Sequence, residues 1–247
     1  VFGYASAYEN VTWLLKLDAA GNQVWLKPID YNSDYNRDTY VRSALIDSDG
    51  DIVLVGEFEN YNGSNLETDA FVTFLTDTGD ELATFSYDHN PSESYADYLH
   101  DVIESSDGEY FAVGRKYIDS EAGGGYQWVP SIMKFNQEGV IFISTIDYGA
   151  LHGIGEELYL LELSNGNLLL YGQSSQDYAL LIIVNSEGEY VSHSMDHQSF
   201  EISTGYSAFM DAIVTFDNKI LLVGFAQNSF YSTDFLIAKL SQDMNFE

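Results

Sequence analysis

The sequence predicts an all-β chain made of one four-stranded antiparallel unit repeated in line, and two recurrences carry that reading. A turn ending in Gly or Asn, a hydrophobic run and a second Gly recur at an interval of six: Gly50 to Gly56, Gly108 to Gly114, Gly166 to Gly172 and Asn218 to Gly224. Further along each copy, a second apolar run leads into another turn. These runs are Trp13 to Leu17 before Gly21, Phe71 to Leu75 before Gly79, Ile132 to Phe135 before Gly139, Leu180 to Val184 before Gly188, and Phe235 to Leu240 before Met244. A fixed period of this kind is the signature of repeat architectures.

Each copy then reads as four strands. The first precedes the initial turn (41–46, 101–104, 158–163, 211–215), and the second ends at the second Gly. The third is the downstream run, and the fourth follows its turn, as at 23–26 and 81–86. The runs are rich in Val, Ile, Leu, Phe and Tyr and show no sustained helical period. The turns carry Asp-Gly, Asn-Gly, Thr-Gly and Glu-Gly, which suit the positive φ of tight antiparallel connections. Asn218 and Met244 stand where other copies have Gly. Units of this size with four strands fit the blades of a β-propeller, here one repeat domain over 1–247 with units near 1–30, 40–88, 98–149, 156–197 and 206–247.

The Asp-Gly turn, the run ending in Val-Gly, the Phe/Leu-Lys-Leu strand and the Gly-x-x-x-aromatic return resemble the repeats of bacterial secreted β-propellers found in large cell-surface and type IX-secreted proteins. The resemblance spans nearly the whole chain. It implies fold and an extracellular or cell-surface location, and it brings no catalytic residue.

Val1-Phe-Gly3-Tyr4 matches the end of a second strand, so the first copy is expected to lack its first strand; the last copy supplies strands one to three. Either the chain is a segment of a larger propeller or five blades close imperfectly, and the segment is the favoured expectation.

Composition narrows the partners. The chain of 247 residues has 39 Asp+Glu against 9 Lys+Arg, a formal charge of −30. Such a surface repels nucleic-acid phosphates and anionic lipid, so neither partner is expected. No apolar run approaches the roughly 18 residues that span a bilayer, so no membrane insertion is expected. Cysteine is absent, which removes disulfides, thiolate metal sites and cysteine nucleophiles. Lys16, Lys134 and Lys239 share one register before a turn and are expected to lie on a solvated strand edge or to pair with a neighbouring carboxylate.

Strand alternation places the one-to-two and three-to-four turns on one face and all the long connections on the other. Those connections are expected at 31–39, 58–69, 89–97, 117–129, 148–155 and 226–234. A scaffold presents function on such a face. Its candidate binding residues are Tyr31, Asp34, Tyr35, Tyr61, Asn62, Tyr95, Asp97, Tyr126, Trp128, Phe230 and Tyr231. Aromatics with polar handles suit sugar rings and protein partners.

Signals of enzyme chemistry are weak. His193, Asp196 and His197 are close in sequence, but positions i and i+4 share a face only on a helix, and this stretch reads as a strand end. Asp47-Ser48-Asp49-Gly50-Asp51 begins like a calcium loop, yet Phe58 stands where the acidic twelfth residue belongs, so a β-turn is expected. No cofactor is expected, with calcium left open. The function read from the sequence is a non-enzymatic extracellular binding or adhesion module whose long-loop face takes a protein or glycan. The alternatives are a carbohydrate-active propeller enzyme, which would gather central carboxylates from three or more blades, and a spacer or secretion cargo without a ligand. Ligand identity and oligomeric state are not legible.

Overall fold

The computed structural model describes residues 2–6, 10–29, 39–62, 65–87, 97–120, 125–146, 154–194, 206–227 and 233–245. These hold five antiparallel sheets in chain order. The first has β1 (Phe2–Ser6), β2 (Asn10–Leu17) and β3 (Gln23–Ile29), and the second has β4 (Thr39–Ile46), β5 (Ile52–Asn62), β6 (Asn65–Leu75) and β7 (Glu81–Tyr87). The third has β8 (Asp97–Glu104), β9 (Tyr110–Ser120), β10 (Gly125–Asn136) and β11 (Gly139–Thr145). The fourth has β12 (Ile154–Glu162), β13 (Leu168–Ser174), β14 (Ala179–Val184) and β15 (Tyr190–Ser194), and the fifth has β16 (Ser207–Val214), β17 (Ile220–Gln227) and β18 (Thr233–Leu240). Each sheet is a meander with neighbours in sequence order. These are propeller blades. Gly3 of β1 pairs with Trp13 as Gly56 pairs with Phe71 and Gly224 with Leu236. The first blade thus shows strands two to four, and the fifth shows strands one to three.

Most of the turns share one construction. At 18–22, 47–51, 76–80, 105–109, 163–167, 185–189, 215–219 and 241–245 the fourth residue's N–H donates to the first carbonyl, and the first N–H donates to the fifth carbonyl. The fourth residue has positive φ each time, whether Gly50 (91°), Asn218 (62°) or Met244 (62°). Asp47 adds its side chain, Oδ1 accepting from the N–H groups of Asp49 and Asp51 at 3.0 and 2.8 Å. The Asp47–Asp51 stretch is a turn.

The apolar core of the described residues is divided among blade junctions. Each sheet has a forward face towards the next blade and a rear face towards the previous one. Val55, Val72 and Phe74 of blade two meet Leu99, Ala112 and Met133 of blade three. Phe111, Val113 and Ile132 then meet Leu158, Leu170 and Ile182, and Leu169, Tyr171 and Leu181 meet Phe209, Leu222 and Ala238. Leu14 and Ile29 meet Leu54 and Phe71 at the first junction. Polar clasps repeat with the same spacing. The Ser48 N–H and hydroxyl donate to Glu104, as those of Ser106 donate to Glu162 in the next pair of blades.

One expectation of the loops is corrected. Residues 58–69 and 117–129 were expected as long connections, but strands two and three continue their ladder past Gly56 and Gly114. β5 and β6 stay paired out to Asn62 and Asn65, and β9 and β10 to Ser120 and Gly125. Hence Tyr61 and Asn62 belong to β5, and Tyr126 and Trp128 to β10. Alternation of β-forming and polar residues carries these hairpins beyond the glycines.

Candidate functional site

Strand one carries an extra residue just opposite the second Gly of the repeat. In β4, Val41 pairs with Gly56 and Ser43 with Val55, leaving Arg42 unpaired between them. His100 stands in the same place in β8 and Met210 in β16. In β12 the irregularity lies earlier, between Ile154 and Leu158. A β-bulge bends its strand and re-aims the residue it adds. It also explains the second Gly. The kinked strand brings a carbonyl over it, so that a Cβ built on Gly114 would lie 1.7 Å from the Tyr98 oxygen, and one on Gly56 1.9 Å from the Tyr40 oxygen.

Two of the re-aimed residues, Arg42 and His100, meet in a cavity of about 310 Å³ between blades two, three and four, lined by Arg42, Tyr98, His100, Arg115, Glu157 and Tyr159. Arg42 lies on β4, Tyr98 and His100 on β8, Arg115 on β9 directly after Gly114, and Glu157 and Tyr159 on β12. A second hollow of about 200 Å³ shares Glu157 and Tyr159 and continues to Tyr206 and Phe225 on blade five.

The chain has three arginines, and two of them line this cavity. Arg42 is held from below by Glu57, whose carboxylate accepts Nε at 2.8 and 3.0 Å and also bonds Nη2. The Glu57 side chain is only 3% exposed, whereas that of Arg42 is 45% exposed. Burial pushes the Glu57 carboxyl up and the two arginines draw it back, while the Glu57 bond raises Arg42 further. The guanidinium of Arg115 lies 4.5 Å from the Trp128 ring centroid and 5.2 Å from that of Tyr98. Trp128 in turn packs on Tyr117 at 4.7 Å. Such stacking fixes a planar cation.

His100 is neutral. Burial, reinforced by the neighbouring charges of Arg115 and Arg42, pushes its pKa down to about 3. Its Nδ1 is buried and has no hydrogen-bond partner among the described residues. On the far wall, the Tyr159 hydroxyl donates to Glu157 Oε2 at 2.7 Å. Burial first, and this carboxylate second, raise the Tyr159 pKa. The lining thus offers planar donors, an aromatic floor, a neutral imidazole and one carboxylate that no described cation binds directly.

Of the residues nominated from sequence, Trp128 joins this site through Arg115. Asp97 opens β8 and is buried, in register with Lys116. Tyr61, Asn62 and Tyr126 lie in the extended hairpins. Tyr31, Asp34, Tyr35, Tyr95, Phe230 and Tyr231 lie outside the described residues. Arg42, His100, Arg115, Glu57 and Glu157 were missed, although a signal existed: Arg42, His100 and Met210 all stand eight residues before the turn position, and Glu57 and Arg115 directly follow the second Gly. His193 accepts or donates at 2.6 Å with the Tyr190 hydroxyl, while Asp196 and His197 lie outside the described residues. Among the described residues no cluster of three or more His, Asp or Glu could hold a metal ion.

No protein-family model matches this chain, and no curated protein sequence matches it. Solved structures resemble it at low similarity. The mannosyltransferase MPT-1 of Leishmania mexicana, described as GDP-Man-dependent, is 13% identical with a TM-score of 0.40, over 77% of this chain and 59% of that one. A GH43 β-xylosidase/α-arabinofuranosidase from a compost microbial metagenome, in a calcium-free complex with xylotriose, is 12% identical with a TM-score of 0.44, over 97% of this chain and 82% of that one. The GH32 β-fructofuranosidase of Bombyx mori is 11% identical with a TM-score of 0.40, over 80% and 46%. The chain therefore spans about three fifths of the first and under half of the last. At scores and identities this low the likeness assigns neither ligand nor reaction.

Proposed function

We propose that this chain is a binding module of an extracellular or cell-surface protein, taking a small polar ligand such as one sugar unit of a glycan into the cavity between blades two, three and four. One observation carries the reading: among the described residues the buried His100 Nδ1 lacks a partner, in a cavity lined by two of the chain's three arginines. A buried polar atom left unpaired costs about 1–3 kcal/mol, so its place beside planar donors favours a ligand that supplies the missing bond. The volume of about 310 Å³ stands at the lower end of the ~300–1,000 Å³ range of ligand pockets. Ring faces at Tyr98 and Trp128 suit the apolar side of a sugar, and Arg42, Glu157 and Tyr159 suit its hydroxyls.

A hydrolytic role has less support. Glu157 is the one carboxylate among the lining residues, and Glu57 beneath Arg42 is buried in its ion pair. Glycoside hydrolysis by the common route needs two carboxyl groups flanking the bond. The test is binding of wild type, Arg42→Met and His100→Phe to an array of glycans, followed by calorimetry on any hit. A hit lost in both variants supports the reading. Equal binding by all three would sink it, and turnover of a bound glycan that vanishes in Glu157→Gln would replace it with the enzyme reading.

A further inference from the structure

Lysine and arginine serve different places among the described residues. Lys16, Lys27, Lys134 and Lys239 pair with the turn carboxylates Asp77, Asp80, Asp107 and Asp217. Two of the three arginines instead line the cavity between blades two, three and four, beside His100. After burial, the charges of Arg115 and Arg42 are what hold the His100 imidazole neutral. A chain with 39 acids against 9 Lys+Arg thus brings two permanent cations to bear on one neutral ring.

The Arg42 guanidinium is only half committed. Glu57 beneath it takes Nε–H and an Nη2–H, one side of the fork. The end of the plane, Nη1 with the second Nη2–H, has no hydrogen-bond partner among the described residues, on a side chain that is 45% exposed. His100 Nδ1 is buried and also unpartnered among the described residues, and in the Nδ1–H tautomer it is a further donor. Glu157 of blade four is the one lining carboxylate, and its Oε2 accepts the Tyr159 hydroxyl at 2.7 Å. Blades two and three therefore form a donor pole, and blade four supplies the acceptor.

A sugar hydroxyl offers one oxygen to such a pole. A carboxylate offers two, in the plane and spacing that match the end of a guanidinium, and its charge is the one that two arginines favour. The formal charge of −30 repels anions at long range, but at about 0.1 M salt that field is screened beyond about 10 Å. Glu157 repels an anion from its own side and so sets the orientation, with hydroxyls towards blade four.

We infer that the sugar taken by this cavity is a uronic acid, its carboxylate bound by the free end of Arg42 and by His100 Nδ1–H, in the field of Arg115. This rests on the cavity being the ligand site proposed above and adds the class of ligand.

The experiment is titration calorimetry of wild type with galacturonate and glucuronate, the methyl ester of each, the matching neutral sugars, and acetate. One of the two acids should bind at least about tenfold tighter than its own ester, its neutral sugar and acetate, the difference between charged and neutral hydrogen bonds. This comparison needs no variant, so no folding defect can imitate it. Arg42→Met combined with Glu57→Gln removes the ion pair without stranding a buried carboxylate, and in it acid and ester should bind alike. Acid and ester binding equally to wild type, and both lost in His100→Phe, would overturn the inference and leave the cavity as a sugar site. Acetate binding as tightly as the acid would overturn the sugar assignment. An acid preference that survives in the double variant would also overturn the inference, since the carboxylate would then be recognised elsewhere. Failure of every sugar to bind would overturn the proposed function together with it.

Discussion

The carboxylate of Asp101 ties three blades together. Its Oδ2 accepts the Leu160 N–H of blade four at 2.9 Å, and its Oδ1 accepts the Ser43 hydroxyl of blade two at 2.9 Å and its neighbour Val102 N–H at 2.9 Å. Burial pushes the Asp101 carboxyl up, and these three bonds oppose that shift. Replacing Asp101 with Ala strands the Leu160 N–H and the Ser43 hydroxyl between blades. The expected loss is about 1–3 kcal/mol, the usual cost of a buried donor left unmade. Urea denaturation of Asp101→Ala reads it, and an unchanged midpoint would show that the clasp is not needed.

The two glycines of the repeat act for different reasons, and substitution separates them. Gly50 needs positive φ (91°), but a Cβ there would meet nothing within 4 Å. Gly50→Ala should therefore cost about 1–2 kcal/mol of left-handed strain. Gly50→Asn should cost less, because Asn218 holds the same turn position in blade five at φ 62°. Gly114 is different, since a Cβ would collide with the Tyr98 carbonyl at 1.7 Å. Gly114→Ala must unfold the bulge that presents His100, so it should cost more than Gly50→Ala and also weaken ligand binding. Thermal melts that ranked the two variants the other way would refute this account of the bulge.

Much of this was legible in the sequence because the repeat constrains it. The six-residue interval located strand two, and the matching turn sites identified Asn218 and Met244 as stand-ins for Gly. Gly3 announced that blade one would show strands two to four. The charge on Lys134 was placed as expected, 2.8 Å from Glu109 and 3.1 Å from Asp107. What escaped was the site. A bulge adds one residue to a strand without changing its hydrophobic character, so alternation alone cannot reveal that Arg42 and His100 point inward. The long hairpins escaped because Glu57, Glu59, Glu67 and Asp69 make them look like polar loops, although the backbone ladder continues through them.

His100 predicts a pH dependence with a definite sign. Its folded pKa is depressed to about 3, while an unfolded histidine titrates near 6.5. Between those values the unfolded chain binds a proton that the folded chain does not. The contribution of neutral His100 is therefore fully present above about pH 6.5 and declines as pH falls towards 3, by up to about 1.4 kcal/mol per unit. Buried Glu57 and Asp101 have raised pKa values, so their effect runs the other way: stability is gained as pH falls through their range. Comparison with His100→Phe isolates the histidine. The stability of wild type relative to this variant should fall between pH 7 and pH 4.5, and a difference that stays constant would mean that His100 titrates in the folded chain as it does in the unfolded one.

Charge supplies the last prediction, in which repulsion and attraction compete. Salt weakens surface pairs such as Lys27 with Asp80 at 2.8 Å and Lys239 with Asp217 at 2.8 Å, but exposed pairs are each worth only about 0–1 kcal/mol. With 39 acids against 9 Lys+Arg, most carboxylates lack a strong cation, and their mutual repulsion opposes the compact state. Sodium chloride shortens the Debye length from about 30 Å at 0.01 M to about 10 Å at 0.1 M, so repulsion should lose more than attraction and the melting temperature should rise. Calcium at matched ionic strength should give the same curve as sodium. A further rise with calcium, reversed by chelation, would instead favour an oxygen-ligand site in the connections expected at 31–39 or 89–97. No response to sodium chloride would mean that the acids are too well solvated for their repulsion to matter.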